Sequence, residues 1–312
     1  MKQKILVTGG AGYLGSTLVP ELLYKGYAVT VVDNFMYQQD SLSHICHNVN
    51  FKLKRGDVRD EALIKSLLKD VDMVIPLAAI VGAPLCDRDP LAASSINHDA
   101  IIMMMKYMST NQQMIIPITN SGYGVGQEGK FCTEESALRP VSLYGKLKVQ
   151  VEQKVLDRKN AISLRLATVF GMSPRMRIDL LVNDFVHRAV RDRFLILFES
   201  HFKRNYIHVR DVSRAFLHGL ENFDKLKNEP YNVGLSDANI SKWELCEIIK
   251  RYIPEFYFEE AAVGEDPDKR DYIVSNEKIE KTGFKPQHSL DLGIQELIKG
   301  YQMINNARYT NI

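Results

Sequence analysis

Apolar and polar positions alternate in blocks along the first half of the chain. Short apolar runs have the length and β-branched content of strands: KILVT (4–8), AVTVVD (28–33), NFKLKRGD (50–57), DMVIPLAA (72–79), QMIIPIT (113–119) and AISLRLA (161–167). Between them, apolar residues recur at helical spacing over about 13–25, 60–69, 91–109 and 142–158. Repeated strand–helix alternation predicts an α/β fold, a parallel sheet with helices on both faces. Beyond Thr168 the rhythm loosens. A helical stretch near 179–192 and the segment RNYIHVRDVSRAF (204–216) lead to helical patterns at 241–252 and 290–305, with Pro and Gly punctuating the turns. The expected organisation is a first domain over residues 1–170, rejoined by about 205–235. A smaller lobe from 171–204 and 236–312 interleaves with it.

Two of the helical patterns are apolar on more than one face. Ile101, Ile102, Met104 and Met105 mark 91–109, and Leu143, Leu147, Val149 and Val151 mark 142–158. One face covers the sheet and another needs burial elsewhere, so a two-fold homodimer built on these helices is expected.

Composition narrows the class. Of 312 residues, 45% are apolar and 25% charged, the profile of a soluble globular protein. Lys+Arg 40 against Asp+Glu 38 leaves a net charge of +2, so no basic field exists to hold nucleic acid. The longest apolar run, Met73–Ala83, is too short to span a bilayer and is broken by Pro76. A strand pattern from Lys4 leaves no room for a signal peptide, and a cytoplasmic protein is expected. Cys46, Cys86, Cys132 and Cys246 are scattered, and His44, His47 and His98 share no ligand spacing, so neither a metal site nor a disulfide framework is expected.

The chemistry starts at TGGAGYLG (8–15), between the first strand and the first helix. Gly9, Gly12 and Gly15 permit a tight turn, close approach of a pyrophosphate to the backbone, and close packing of helix on strand. The helix N-terminus, with Tyr13 and Leu14, then offers free N–H groups and its positive dipole end to phosphate. Asp33, about 20 residues on at the end of the second strand, suits the adenosine ribose hydroxyls, with Asn34 beside it. A 2′-phosphate would be a like-charge neighbour of that carboxylate, so NAD is expected rather than NADP.

A second feature is RPVSLYGKLK (139–148), in which Tyr144 and Lys148 sit four apart and share one helix face. Taken alone the pair is ordinary. Together with TGGxGxxG it resembles the extended short-chain dehydrogenase/reductase family, whose members act on nucleotide sugars, and the resemblance covers nearly the whole chain. It implies a Rossmann-type sheet, NAD as cofactor and a nucleotide-sugar substrate. Asp57 and Val58 resemble the family's adenine-contacting pair. Leu77, Ala78 and Ala79 resemble the segment under the nicotinamide ribose, and Asn97 the asparagine of the following helix. Thr119, in TNSGYG (119–124), stands where the family places a catalytic Ser or Thr. In that context Tyr144 becomes the acid/base. Lys148 and the positive nicotinamide favour its phenolate against a free pKa of about 10.

The resemblance also separates chemistries. The family's 4,6-dehydratases carry an Asp-Glu pair after the Thr119 position, and here Asn120 and Ser121 follow. The 3,5-epimerase/reductases use a further Cys/His pair, and no cysteine lies near Asn120. Oxidation at one carbon remains, ending either in release of a keto sugar or in its return as the 4-epimer. Arg175, Arg177, Arg204 and Arg270 fall in segments that the family uses around the nucleotide diphosphate, where guanidinium suits phosphate. Asn183 resembles an asparagine contacting that diphosphate, and Ser121 is expected among the substrate-binding residues. RPVS and SPRMR (173–177) look most like the branch that handles GDP-activated heptose for bacterial capsules and lipopolysaccharide.

Overall fold

Seven strands pair in parallel in the order Pro230–Val233, Ala161–Leu166, Gln113–Thr119, Met73–Pro76, Lys4–Thr8, Ala28–Asp33 and Phe51–Arg55. The structure, a computed structural model, describes residues 2–38, 40–262 and 270–304. Alternate strand residues point to opposite faces. On one side Ile5, Val7, Val29, Ile75 and Ile115 join Leu18, Val19 and Leu22 of the helix Gly15–Tyr24 and Val212, Ala215 and Phe216 of the helix Val209–Glu221. On the other side Leu6, Val32, Val74, Met114 and Ile116 join Ile64 and Leu68 of Glu61–Leu68, Ile101 and Met104 of Ala100–Tyr107, and Leu147 and Val151 of Leu143–Arg158. This is the doubly wound arrangement expected from the alternation.

Local chemistry fixes the helix starts. Asp60 accepts the Leu63 N–H at 3.0 Å and Ser142 accepts the Gly145 N–H at 3.1 Å, each capping an otherwise unpaired first turn. The continuous helix expected over 91–109 is instead Pro90–Ser94, a π-helical turn at Ser95–Asp99, and Ala100–Tyr107. The extra residue in that turn re-aims Asn97 at the preceding loop. The strands expected over 50–57 and 72–79 are shorter, Phe51–Arg55 and Met73–Pro76. Leu77–Ala79 leave the sheet to cross beneath the glycine loop.

The remaining elements form small sheets beside the large one. Thr168–Phe170, Lys203–His208 and Asn239–Ser241 make one, Phe194–Leu197 pairs with Tyr257–Glu260, and Phe131–Cys132 pairs with Ile273–Val274. The helix Leu181–Arg191 packs on Leu290–Met303, and Lys242–Tyr252 begins with a capping box between Ser241 and Glu244. Among the described residues no helix is long and apolar enough to cross a membrane.

The first and fourth strands are neighbours from which the chain winds outward in opposite directions, so a crevice opens at their carboxyl ends. Gly9 sits there at φ +66°, and a Cβ on it would lie 2.6 Å from the Ala78 backbone. Gly26, at φ +83°, has only a Lys2 side-chain carbon nearby, at 3.8 Å. Gly26→Ala is therefore expected to lose about 1 kcal/mol from backbone strain, and Gly9→Ala about 2–4 kcal/mol together with nucleotide retention. Denaturant unfolding of both variants compares them, and equal losses would show that the crossing is not the tight constraint described here.

Candidate active site

A cavity of about 550 Å3 fills the crevice. Its floor is the glycine loop. Gly9, Gly12, Tyr13, Leu14 and Gly15 line it at the N-terminus of the helix Gly15–Tyr24, whose first turn has no side-chain cap. Asp33 closes one end, its Oδ2 accepting the Ala11 N–H at 2.9 Å and its Oδ1 the Phe35 N–H at 2.8 Å. The carboxylate thus holds the glycine loop in shape as well as facing the cavity. Asn34, Asp57 and Val58 line the same end, and Leu77, Ala78 and Ala79 run along the middle. Arg59 grips Asp57 through Nε at 2.9 Å and Nη2 at 2.8 Å, and these bonds bring the Asp57 carboxyl down to about 2.

Thr119, Ser121, Tyr144 and Lys148 line the same cavity. The Thr119 hydroxyl donates to Ser121 Oγ at 2.9 Å and accepts the Ser121 N–H at 3.1 Å. Arg270 donates to the same Ser121 Oγ. Lys148 is buried, and its Nζ donates to the Pro117 carbonyl at 3.3 Å. Burial lowers the Lys148 ammonium to about 8. The Tyr144 phenol is pushed the other way from the sequence expectation. Burial raises it to about 12, and the Cys86 thiol adds to the rise. The cations whose fields oppose that rise are Arg177 and Arg270, and Lys148 is not among them. A further positive charge at this site, such as an oxidised nicotinamide would bring, would favour the phenolate.

All four arginines singled out in the sequence reach the cavity, and each is buried or half-buried. Arg177 pairs with Asp179, and Arg204 lies 5.7 Å from the Tyr272 ring. Arg175 differs. It is 2% exposed, its backbone N–H bonds Ser16 Oγ beside the glycine loop, and its guanidinium stacks 4.1 Å from the Tyr37 ring. Its Nε and Nη2 are buried without a hydrogen-bond partner. A buried guanidinium with unused donors beside a helix N-terminus fits a pyrophosphate. The residues present therefore fit a dinucleotide, and Arg175 lies beside the glycine loop.

Two asparagines depart from expectation. Asn97 is fully buried and does not line the cavity. Its Oδ1 accepts the Ile80 N–H and its Nδ2 donates to the Ile80 carbonyl, both at 2.8 Å. These bonds shape the loop after Ala79. Asn183 is also fully buried and spent: it accepts the Gly171 N–H at 3.0 Å and donates to the Arg177 carbonyl at 2.8 Å and to Tyr13 Oη at 3.3 Å. Tyr13 Oη in turn donates to the Gly171 carbonyl at 2.7 Å. Sequence reasoning placed both asparagines in the site because it could not count their hydrogen bonds. It missed Tyr37 and Cys86, whose neighbours in sequence carry no motif.

The profile of the NAD dependent epimerase/dehydratase family matches residues 5–234. A putative UDP-glucose 4-epimerase of Methanocaldococcus jannaschii is 29% identical over 97% of this chain and 99% of its own. The dTDP-D-glucose 4,6-dehydratase of Mus musculus is 26% identical over 96% of this chain and 89% of its own. Among solved structures, a UDP-glucose 4-epimerase of Thermotoga maritima with UDP-glucose superimposes with a TM-score of 0.84 at 24% identity, covering 96% of this chain and 99% of that one.

Lys148 gives a pH test. Its folded value of about 8 lies below the ordinary 10.5, so between these values the unfolded chain binds more protons and stability rises with pH. Below pH 8 the buried ammonium costs on the order of 3 kcal/mol. In protein stripped of nucleotide, Lys148→Met is expected to be the more stable at pH 7, its advantage shrinking from pH 8 towards 10.5. Urea midpoints across that range measure it, and a pH-independent difference would contradict the assigned shift.

Proposed function

The chain belongs to the NAD dependent epimerase/dehydratase family, and we propose that it oxidises a nucleotide-activated sugar at carbon 4, releasing the 4-keto sugar. It is an NAD-dependent enzyme of nucleotide-sugar chemistry. The observation that carries the finer reading is the turn after Thr119. Asn120 and Ser121 are uncharged, and Ser121 is bonded to Thr119 and Arg270, so no acid stands where a dehydratase needs one. GDP-D-glycero-D-manno-heptose is the proposed substrate, supported by the RPVS and SPRMR segments and by a cavity lined with four arginines.

The residues divide the work. Gly9, Gly12, Gly15 and Arg175 would hold the dinucleotide's pyrophosphate, and Asp33 its adenosine ribose. Leu77–Ala79 would support the nicotinamide end. When bound, NAD supplies a hydride acceptor and a positive charge beside Tyr144. Thr119 would orient the substrate hydroxyl, and Tyr144 Oη, held as phenolate by that field and by Arg177, Arg270 and Lys148, would take its proton as hydride leaves the same carbon. Arg204 and Arg270 suit the sugar's diphosphate. Reduced cofactor would need a second keto compound for reoxidation.

A 4-epimerase is the second reading, favoured by the similarity to the Methanocaldococcus jannaschii relative over nearly the full length of both chains. It needs the same residues, because the hydride returns to the same carbon from the other face. We also propose that residues 1–170 with about 205–235 form the NAD-binding domain. The pairing of Pro230–Val233 with Ala161–Leu166 supports this division.

Denaturing the purified protein and identifying the released nucleotide, then screening GDP-, UDP- and dTDP-sugars, tests the function. The expected result is NAD released, NADH and a 4-keto product from GDP-D-glycero-D-manno-heptose, and a 10²–10⁴-fold loss in Tyr144→Phe. Quantitative return of the inverted sugar without net NADH would award the site to the epimerase.

A two-fold homodimer is proposed on the helices Ala100–Tyr107 and Leu143–Arg158, where Ile102, Met105, Leu143 and Val149 stay half-buried in the single chain. Light scattering at micromolar concentration should read twice the 35.6 kDa chain mass, and a single-chain mass would refute it.

A further inference from the structure

Behind the catalytic wall lies a buried ionic network that the proposed chemistry does not use. Arg165, on the strand Ala161–Leu166, is 5% exposed and its guanidinium faces two ways. Towards the helix Leu143–Arg158 it forks onto Glu152, with Nη2 at 2.8 Å from Oε2 and Nε at 3.0 and 3.1 Å from the two carboxylate oxygens. Glu152 also accepts the Ser163 hydroxyl. Towards the turn Asn120–Tyr123, Nη1 donates to Tyr123 Oη at 3.0 Å and to the Glu134 carbonyl at 3.1 Å, and the guanidinium lies 5.6 Å from the Tyr123 ring centre. Tyr123 Oη in turn donates a hydrogen bond to Asn232 Oδ1 at 2.7 Å, so that hydroxyl both accepts and donates.

The two arms reach the two elements that carry the reacting groups. Glu152 stands one helical turn beyond Lys148 and two beyond Tyr144 on the same helix. Tyr123 ends the turn that Thr119 begins. Apolar packing holds that helix on the sheet through Leu147, Val151 and Val155, but such contacts are non-directional and tolerate a small slide or rotation. A planar guanidinium bonded at both ends does not. A buried ion pair gives little net stability over well-packed apolar side chains of similar volume. The network is therefore poorly explained as a source of stability and well explained as a ruler.

We propose that Arg165 is a positioning residue which, through Glu152 and Tyr123, fixes the Tyr144-bearing helix relative to the Thr119-bearing turn. The proposal rests on the assignment of Thr119, Tyr144 and Lys148 as the reacting groups. A shift of about 1 Å between them is enough to lose about a hundredfold in rate.

The test uses the full chain with NAD, in three variants: Tyr123→Phe, the double exchange Glu152→Met with Arg165→Met, and Tyr144→Phe as reference. Turnover is measured on whichever of GDP-D-glycero-D-manno-heptose and UDP-glucose the unaltered enzyme converts. Crystal structures of the variants with NAD measure the Thr119 Oγ1 to Tyr144 Oη separation. The double variant is expected to unfold at or above the unaltered midpoint, to keep KM, to lose about a hundredfold in kcat, and to change that separation. Tyr123→Phe, which deletes one hydroxyl and spares the ion pair, is expected to lose about tenfold in kcat with KM and NAD retention kept, and it decides the matter should the double variant fail to fold. An unchanged separation with full kcat, in either variant, overturns the proposal. So does a loss of kcat that only tracks a lowered unfolding midpoint. If Tyr144→Phe itself retains turnover, the assignment beneath the proposal fails, and that outcome is distinct from failure of the ruler alone.

Discussion

Two backbone segments cross at the switch point with no room for a side chain between them, and the site is built outward from that crossing. The loop after the first strand passes over the segment after the fourth so closely that a Cβ on Gly9 would lie 2.6 Å from the Ala78 backbone. Thr8 ties the two together, its carbonyl accepting the Leu77 N–H at 2.9 Å and its hydroxyl the Ala78 N–H at 3.3 Å. Because the crossing is tight, the bare N-terminus of the first helix and the Leu77–Ala79 segment face one cavity at fixed spacing. Asp33 can then shape the loop from one side while Thr119 and Tyr144 stand opposite.

Charge in that cavity is organised around burial. Lys148 is held down by desolvation and Tyr144 is held up by it, so each is shifted towards its neutral form. Burial opposes removal of the phenol proton, and the fields of Arg177 and Arg270 favour it.

Much of this was legible in the sequence, for physical reasons particular to each part. The strands at 4–8, 28–33 and 113–119 were read to the residue because they are buried on both faces and bounded by Gly, Asp or Asn. The glycine trio, Asp33 and the Tyr144/Lys148 spacing were legible because each is a local pattern with a mechanism. What failed was accounting over distance. Asn97 and Asn183 carry the right identity at the right position, but their amides are consumed by Ile80 and by Gly171, Arg177 and Tyr13. The proximity of Arg175 to the glycine loop was not legible because its bond to Ser16 spans 159 residues. The π-helical turn at Ser95–Asp99 has no sequence signature that periodicity can resolve.

The seventh strand of the large sheet, Pro230–Val233, closes it only after the chain has threaded the elements between Thr168 and Glu221. During synthesis the edge of Ala161–Leu166, buried on every residue in the finished fold, waits unpaired until some seventy further residues have emerged. The large sheet cannot mature as an autonomous N-terminal unit. A ribosome-bound chain of this protein therefore carries an unpaired, adhesive strand edge over that stretch of its elongation, the interval in which a chaperone would protect it.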